Sequence, residues 1–165
     1  MADTVGARNN PDEALDVAQF ELAVRRYVYD EILLQEVIPT AAQIAYGLSR
    51  SLDEIISSFS RLKEAHILVL QDGDREILMA NPFSAVPTTF VVELGTRHWW
   101  GNCIWDALGI AAMVKGNGRI SAVCGDCHDP MTISIDEGKA RFADGTGIIH
   151  FAVPANRWWV DIRYT

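Results

Sequence analysis

The first third of the chain places apolar residues three and four positions apart, a spacing that predicts helices packed against a core. Residues 14–35 follow this period and are predicted to form one amphipathic helix. Pro39 interrupts the pattern, and Thr40 is a typical N-cap for a short second helix over residues 41–46. Gly47 is predicted to end that helix.

A third helix and a β-hairpin come next. Ser51 and Glu54 form a capping-box pattern, so a helix is predicted over residues 52–65. Two short extended runs, 67–71 and 76–80, flank an Asp-Gly-Asp turn, where glycine accepts the positive φ that a tight hairpin needs. Three helices followed by a hairpin are typical of a winged-helix module.

A winged-helix module raises the question of DNA binding. The predicted third helix, which would read bases, carries Asp53, Glu54 and Glu64 against Arg61 and Lys63. This slightly acidic helix offers few donors to phosphates, so a structural or dimerising role is favoured. A DNA-binding regulator stays open as an alternative function.

The second half predicts a small, mostly antiparallel β unit with one buried helix. Strands are predicted at 90–94, 119–123, 131–135, 139–142, 148–153 and 158–163, and the helix at 102–114. Glycine and aspartate residues separate these elements, as turns require. The chain is therefore predicted to be α+β, with a flexible tail over 1–11, a winged-helix-like domain over 12–80 and an α+β domain over 81–165.

Composition and charge narrow the class of function. The chain has 165 residues, of which 49% are hydrophobic and 22% charged, with a net charge of −8 at pH 7. This balance is globular, and its sign disfavours DNA and anionic membrane surfaces as partners. Apolar runs are far shorter than the ~20 residues that span a bilayer, and the polar N-terminus does not resemble a signal peptide. We therefore expect a cytoplasmic protein.

Cys103 and Asp106 are the first candidates for chemistry. Asn102 is expected to cap the apolar helix, which places Cys103 in the first turn, where the helix dipole favours a thiolate. Asp106 follows on the same face, and burial would raise the pKa of its carboxyl and keep a proton available. A nucleophilic thiol with its own proton carrier is one interpretation. A small core cysteine beside a first-turn acid is the other.

Cys124 and Cys127 form a second candidate group. Their Cys-x-x-Cys-His pattern is shared with c-type haem attachment, but that chemistry requires export. Half of a zinc site, completed by Cys103 or by a histidine elsewhere in the chain, is an alternative. A turn whose cysteines merely pack is a third interpretation.

The aromatic residues are unevenly distributed. All five tryptophans lie in the C-terminal half: Trp99, Trp100, Trp105, Trp158 and Trp159. Their usual role is to form the core of a small domain. They could also wall an apolar pocket around Cys103 and exclude water from it.

Together these residues give the chain a resemblance to the alkylmercury (organomercurial) lyase family, over roughly residues 14–160. The segment that carries it best is Trp100-Gly101-Asn102-Cys103-Ile104-Trp105-Asp106-Ala107-Leu108, which is similar to the family's Trp-Cys-x-x-Asp-x-Leu. Residues 121–124, with the strand after them, are similar to the family's structural cysteine and strand. His150-Phe151-Ala152-Val153-Pro154 with Trp158 resembles its His-Phe-Phe stretch and the Val-Pro that follows.

The resemblance implies protonolysis of a carbon–mercury bond. In the family two cysteine thiolates hold the mercury, and an aspartate passes a proton to the leaving carbon, which releases a hydrocarbon and Hg(II). By position Cys103 is the attacking thiol and Asp106 the proton carrier, and thiolates suit a soft metal. The residues that would line the substrate pocket are Trp100, Trp105, Thr146 and His150.

One position departs from the family pattern. Thr146 stands about where the family has its second mercury-binding cysteine. Cys127 is an addition to the pattern and would replace the missing thiol if its turn folds over Cys103. The candidate metal ligands are then Cys103, Cys124 and Cys127.

A different class of function uses the same thiols without turnover, in a soft-metal binding or sensing protein. No resident cofactor is expected for the lyase; mercury would be its substrate and product ion, and zinc or copper could occupy the cysteines. The expected partners are a small organometallic substrate and small thiols or a mercury-accepting protein.

Overall fold

The computed structural model describes residues 11–142, Gly145 and residues 147–163. The first half contains α1 (Pro11–Gln35), α2 (Ala41–Leu48), α3 (Leu52–Glu64), β1 (Leu68–Leu70) and β2 (Ile77–Ala80). The second half contains β3 (Phe83–Ser84), β4 (Val91–Leu94), β5 (Arg97–Trp100), α4 (Ile104–Val114), β6 (Gly118–Val123), β7 (Pro130–Asp136) and β8 (Lys139–Phe142). A 3₁₀ helix, Ala155–Val160, follows. The predicted tail over residues 1–11 lies, except for Pro11, outside the described residues.

The strands form two antiparallel sheets. The first has the order β1-β2-β3 and the second the order β5-β4-β6-β7-β8. In the second sheet β4 lies between β5 and β6, and its residue Val91 pairs with both Trp100 of β5 and Ser121 of β6. Helices precede antiparallel sheets along the chain, so the predicted α+β class is confirmed.

Local polar groups define the short helices α2 and α3. Thr40 and Ser51 each accept from the backbone N–H three residues on, and Gln43 and Glu54 reach back to the cap N–H, which completes two capping boxes. The predicted end of α2 at Gly47 is wrong, because the helix continues to Leu48. Glycine is required at position 47, inside the helix, because the ring of Tyr27 occupies the space that a Cβ would need.

One hydrophobic core joins the two halves of the chain. It contains Val28 and Ile32 of α1 together with Phe83 and Trp99 from the second half, all at most 2% exposed. β3 lies beyond the predicted domain boundary at residues 80/81, yet it pairs with β2. The boundary therefore falls inside the first sheet, and the two halves fold against each other.

The second half departs from the sequence prediction in three places. β5 was not predicted, because Arg97 and His98 interrupt the apolar alternation that marks a strand. Strands predicted at 148–153 and 158–163 are wrong: the first stretch is irregular, and Pro154 precedes a 3₁₀ helix in the second. The alternating apolar residues there face solvent, as in Ile148, which is 92% exposed.

The helix α4 is buried on one face rather than all round. Ala107, Ile110 and Ala111 enter the core, whereas Trp105 and Met113 are 55% and 46% exposed. The prediction of a wholly buried helix is wrong, because α4 covers one face of the sheet and receives no second layer among the described residues. Among all the residues that the structure describes, no helix is long and apolar enough to cross a membrane.

Candidate active site

The candidate site lies at the junction between the end of β5 and the start of α4. Gly101 sits at this junction, with its N–H donating to Phe90 O at 2.9 Å and its carbonyl accepting from Thr88 Oγ1 at 2.6 Å. A Cβ at Gly101 would meet the backbone nitrogen of Ala107 at 2.7 Å. Only glycine therefore lets β5 and the start of α4 approach this closely.

Cys103 is itself the N-cap residue of α4. Its backbone is extended, with φ −145° and ψ −178°, and the helix starts at Ile104. The prediction that Asn102 caps the helix is wrong by one residue, and Cys103 precedes the first turn rather than lying in it. Asp106 is then the third helical residue, the position from which an acid reaches back to the cap.

The thiol and the carboxyl are in direct contact. Cys103 Sγ donates to Asp106 Oδ2 at 3.6 Å, and both side chains are half-buried. The Cys103 N–H also donates to the Asp106 carboxylate. The pair reproduces a capping box in which cysteine replaces serine, although the thiol accepts no capping hydrogen bond within normal geometry. The structure thus brings together the two residues that the sequence singled out for catalysis.

Burial dominates the ionisation of both groups. Desolvation raises the pKa of the Cys103 thiol, and the N–H groups of Asp106 and Trp105 lower it only in part. The sequence-based expectation of a thiolate favoured by the helix terminus is therefore wrong in the uncomplexed protein. Desolvation also raises the pKa of Asp106, against hydrogen bonds from Asn102 and Cys103 that lower it. The sequence-based expectation that burial raises the pKa of this carboxyl agrees with the direction of the shift.

A polar network anchors the loop before Cys103 to the N-terminal half. Asn102 Nδ2 donates to Asn81 Oδ1 at 3.2 Å, and Tyr29 Oη on α1 donates to Asn81 O at 2.7 Å. Burial raises the pKa of Tyr29, which keeps its hydroxyl a donor. Sequence reasoning missed Tyr29 and Asn81 as supports of the site. The signal for Asn81 was its place before Pro82, whereas nothing local marks Tyr29.

An aromatic cluster joins α4 to the C-terminal segment, residues 147–163. The ring of Trp105, two residues after Cys103, meets Phe151 edge-on at 6.0 Å between centroids, and Phe151 lies 5.4 Å from Trp158. We call these three residues the aromatic cluster. Phe151 was not among the predicted pocket residues, although it was part of the stretch that carries the family resemblance.

The other predicted pocket residues have different surroundings. Trp100 is half-buried at the end of β5, with its ring edge-on to His98, on the sheet face opposite the buried Trp99. His150 is exposed, one residue before Phe151. Thr146 lies outside the described residues.

Cys124 and Cys127 lie on the turn between β6 and β7. The pKa of Cys124 is lowered by N–H groups of Cys127 and Asp126 and by the Cys127 thiol. The Asp129 N–H lowers the pKa of Cys127, but hydrogen bonds from its thiol to Cys124 and to the Asp129 carboxylate raise it overall. All three cysteines of the chain are free thiols.

The three cysteines do not form one metal site. Over residues 11–142, 145 and 147–163, groups of three or more His, Cys, Asp or Glu side chains that could hold a metal ion are absent. The described residues therefore do not bring Cys103, Cys124 and Cys127 together as the joint ligand set that the sequence suggested. A zinc or copper site that needs more than two such ligands is likewise not formed by the described residues.

Cys103 and Asp106 form a contacting thiol–carboxyl pair. A thiol that bonds a soft electrophile must lose its proton, and the contacting carboxyl can take that proton and return it. Both groups are held at a helix start that the fold supports from β5, the Asn81 network and α1. The site is thus a thiol in contact with a carboxyl at the start of a helix.

The fold and this pair define an α+β protein with a thiol–carboxyl centre at the start of a helix. The family model for alkylmercury lyase matches residues 83–165, which is half of the chain and includes Cys103 and Asp106. The chain belongs to the alkylmercury lyase family. Curated proteins give no match to the sequence.

A solved structure has the same fold. It is the crystal structure of the mercury-bound form of MerB2, with a TM-score of 0.60 and 18% sequence identity. The alignment covers 75% of this chain and 60% of that one, so the chain spans about three fifths of the length of MerB2. At this identity the likeness concerns the fold.

Proposed function

We propose that the protein cleaves carbon–mercury bonds by protonolysis, with Cys103 binding the metal and Asp106 delivering the proton. The observation that carries the proposal is the 3.6 Å contact between Cys103 Sγ and Asp106 Oδ2. Membership of the alkylmercury lyase family supports the same chemistry.

The first step joins mercury to sulfur. An alkylmercury species R–Hg–X exchanges X⁻ for the Cys103 sulfur, which gives Cys103–S–Hg–R. The thiol proton passes to the Asp106 carboxylate, whose oxygen already accepts from that sulfur. Burial raises the pKa of Asp106, which favours the protonated carboxyl that the next step needs.

The second step breaks the carbon–mercury bond. The Asp106 carboxyl protonates the carbon, the bonding electron pair leaves with that carbon, and the hydrocarbon R–H departs. Hg(II) stays on the Cys103 sulfur, and Asp106 is again a carboxylate that can accept the next thiol proton. One proton is consumed for each hydrocarbon released, and no redox partner is required.

A second sulfur ligand is proposed to come from outside the site. Soft ions favour thiolate ligands, and Thr146 stands where the family has its second cysteine. A small thiol from solution would ligate mercury during protonolysis and carry the product away. Such thiols are abundant in the reducing cytoplasm, which is the proposed compartment and suits the free cysteines.

Hydrocarbon release tests the proposed function. Wild-type protein is incubated with methylmercury chloride and excess monothiol, and methane is measured by gas chromatography. Cys103→Ser and Asp106→Asn are expected to lower the rate at least ~100-fold, because each removes one partner of the transfer. The Trp159→Ala variant, changed away from the pair, is the control. Absence of methane from wild type, or equal release from Cys103→Ser, rejects the function.

For residues 12–80 we propose a winged-helix-like module with a structural role rather than DNA binding. The order α1–α3 followed by the β1–β2 hairpin supports the module. The basic residues of α3 already have acidic partners: Arg61 pairs with Glu21, and Lys63 Nζ lies 2.7 Å from Asp74 Oδ1. Phosphate would have to compete with these carboxylates. Salt-dependent binding to a DNA duplex would contradict the structural role.

A further inference from the structure

The turn between β6 and β7 holds two thiols that the proposed reaction does not use. The Cys124 N–H donates to Asp129 O at 2.9 Å, and the His128 N–H donates to Cys124 O at 3.1 Å, which closes the turn. The N–H groups of Asp126 and Cys127 are directed at the Cys124 sulfur, and the Cys127 thiol interacts with the same sulfur. The two thiols therefore lie three positions apart on one turn that backbone hydrogen bonds close.

The geometry points to an accessory site in which Cys124 and Cys127 together bind one Hg(II) ion. Cys127 is exposed and Cys124 half-buried, so an ion from solution can reach both sulfurs. The Asp129 carboxylate, whose Oδ2 lies 3.3 Å from Cys127 Sγ, adds negative charge beside the thiols. Binding replaces two S–H bonds by two S–Hg bonds and releases two protons to solvent.

The number of ligands decides which metal the turn suits. Structural zinc takes four ligands, and the part of the chain that the structure describes places no third His, Cys, Asp or Glu side chain in a metal-binding group with this pair. Hg(II) is a soft ion that two thiolates satisfy in a linear arrangement. Two sulfurs on one short turn also act as a chelate, which holds an ion far better than separate monothiols do.

The turn lies at the same end of the sheet as Cys103. Val91 of β4 pairs with both Trp100 and Ser121, and each of these residues is followed three positions later by a cysteine, Cys103 or Cys124. β5 and β6 flank β4, so their ends are two strand spacings apart, about 10 Å. Resting on the proposed function, we assign the turn as the site in this chain that accepts the Hg(II) carried away from Cys103 by solution thiols.

Transfer needs no redox step. A thiolate from solution displaces the Cys103 sulfur, which regains a proton, and the ion leaves Cys103 as a complex with two solution thiols. Cys124 and Cys127 then displace these two thiols, and each passes its proton to the thiolate that it releases. The ion keeps two Hg–S bonds throughout. Cys103 is thereby free for the next substrate.

Binding is tested without any turnover. Cys103→Ser and the double variant Cys103→Ser/Cys127→Ser are loaded with HgCl₂, dialysed against excess 2-mercaptoethanol and analysed for mercury per chain. Cys103→Ser is expected to retain one mercury ion per chain. The double variant is expected to bind mercury about 100-fold less tightly. Gly125→Ala in the Cys103→Ser background keeps both thiols, meets no atom within 4 Å and should retain mercury. Equal retention by Cys103→Ser and the double variant, or equally tight retention of zinc, overturns the site.

Transfer is tested by protection from alkylation. Wild type is given one equivalent of either HgCl₂ or methylmercury chloride in the presence of a monothiol, treated with excess iodoacetamide and mapped by peptide mass spectrometry. Protection of Cys124 and Cys127 with a reactive Cys103 is expected from both reagents. Protection from HgCl₂ alone, without methane from methylmercury, rejects the proposed lyase function and leaves the site standing. Protection of Cys103 alone with HgCl₂ rejects the site whatever the lyase does.

Discussion

At the scale of single residues, the candidate site depends on where a proton resides. Cys103 and Asp106 share a hydrogen bond in a half-buried setting, and burial raises the pKa of both groups. Spacing and residue type predicted this pair, since three helical positions bring side chains onto one face. The protonation of the thiol could not be predicted from the sequence, because desolvation depends on how the whole chain packs.

The stability of Asp106→Asn should depend on pH. Burial raises the folded pKa of Asp106 above its unfolded value, about 3.9, so wild type loses stability as pH rises through the folded pKa. Asparagine carries no such charge. The difference in Tm, variant minus wild type, is therefore expected to be larger at pH 8 than at pH 4, as measured by circular dichroism. Cys103→Ser keeps the carboxyl and should follow wild type. A Tm difference that is the same at both pH values contradicts the assigned burial effect.

Asn102 is predicted to tune the same carboxyl. Its amide donates to Asp106 and lowers the pKa of that group, so Asn102→Leu should raise this pKa further. Hydrocarbon release should then persist to higher pH than in wild type, because the protonated carboxyl survives longer. The pH profile of single-turnover release measures the shift.

Asn81→Ala is the matched control for that variant. It removes the anchor of Asn102 at Asn81 Oδ1 but leaves the amide beside Asp106. We expect a lower Tm without a displaced pH profile. An unshifted profile for Asn102→Leu would show that Asn102 only holds the loop.

At the scale of elements, local chemistry was predictable and long-range pairing was not. The capping boxes of α2 and α3 follow from residues three positions apart, and the sequence identified both. β5 forms because it pairs with β4 across the turn at Gly95. The residues Arg97 and His98 of β5 are by themselves typical of a loop. The strands predicted from the apolar alternation of residues 148–153 and 158–163 do not form, because none of the described strands pairs with these residues.

The junction between β5 and α4 should be the most sensitive point of the site. In Gly101→Ala the new Cβ would meet the Ala107 backbone at 2.7 Å, and a backbone atom yields less than a side chain. We expect a loss of about 1–3 kcal/mol in the free energy of unfolding and slower hydrocarbon release, because α4 moves away from β5. Urea unfolding and methane assays measure the two effects.

Gly125→Ala is the matched control for Gly101→Ala. Its Cβ would meet no atom within 4 Å, and the stability change should stay within about 0.5 kcal/mol. Equal effects from both substitutions would indicate that the close approach at Gly101 does not hold α4 in place.

At the scale of the whole molecule, one buried tryptophan ties the halves together. Trp99 is 2% exposed, its Nε1 donates to Ile32 O on α1 at 3.0 Å, and its ring meets Phe83 edge-on. The sequence predicted a tryptophan core but divided the chain into two domains, since composition changes near residue 81. Only the pairing of β3 with β2 and the contact of Trp99 with α1 show how the halves join.

Trp99→Ala should destabilise the entire chain in a single transition. Removing a large buried side chain costs about 3–5 kcal/mol, and the Ile32 carbonyl loses one of its two donors, keeping the N–H of Glu36. Far-ultraviolet circular dichroism, which reports α1–α3, and near-ultraviolet signals of the second half should unfold together at lower urea. Trp159→Ala, at a ring that is 37% exposed, should cost much less. Separate transitions in Trp99→Ala would contradict a shared core.

The C-terminal segment extends the same connection along the surface. Trp159 stacks on His66 with 4.2 Å between centroids, and Arg163 donates to Asp72 Oδ1 and Leu70 O in the first half. Through Phe151 the same segment reaches Trp105 beside Cys103. The rim of the candidate site is thereby linked to the β1–β2 hairpin.

The exposed ring of Trp105 gives the protein a built-in optical reporter. Its indole is 55% exposed and belongs to the residue two positions after Cys103. A heavy atom bound at that sulfur would quench the indole emission by spin–orbit coupling, without any added dye. Arrival and departure of the metal could then be followed in real time by stopped-flow fluorescence on unlabelled protein.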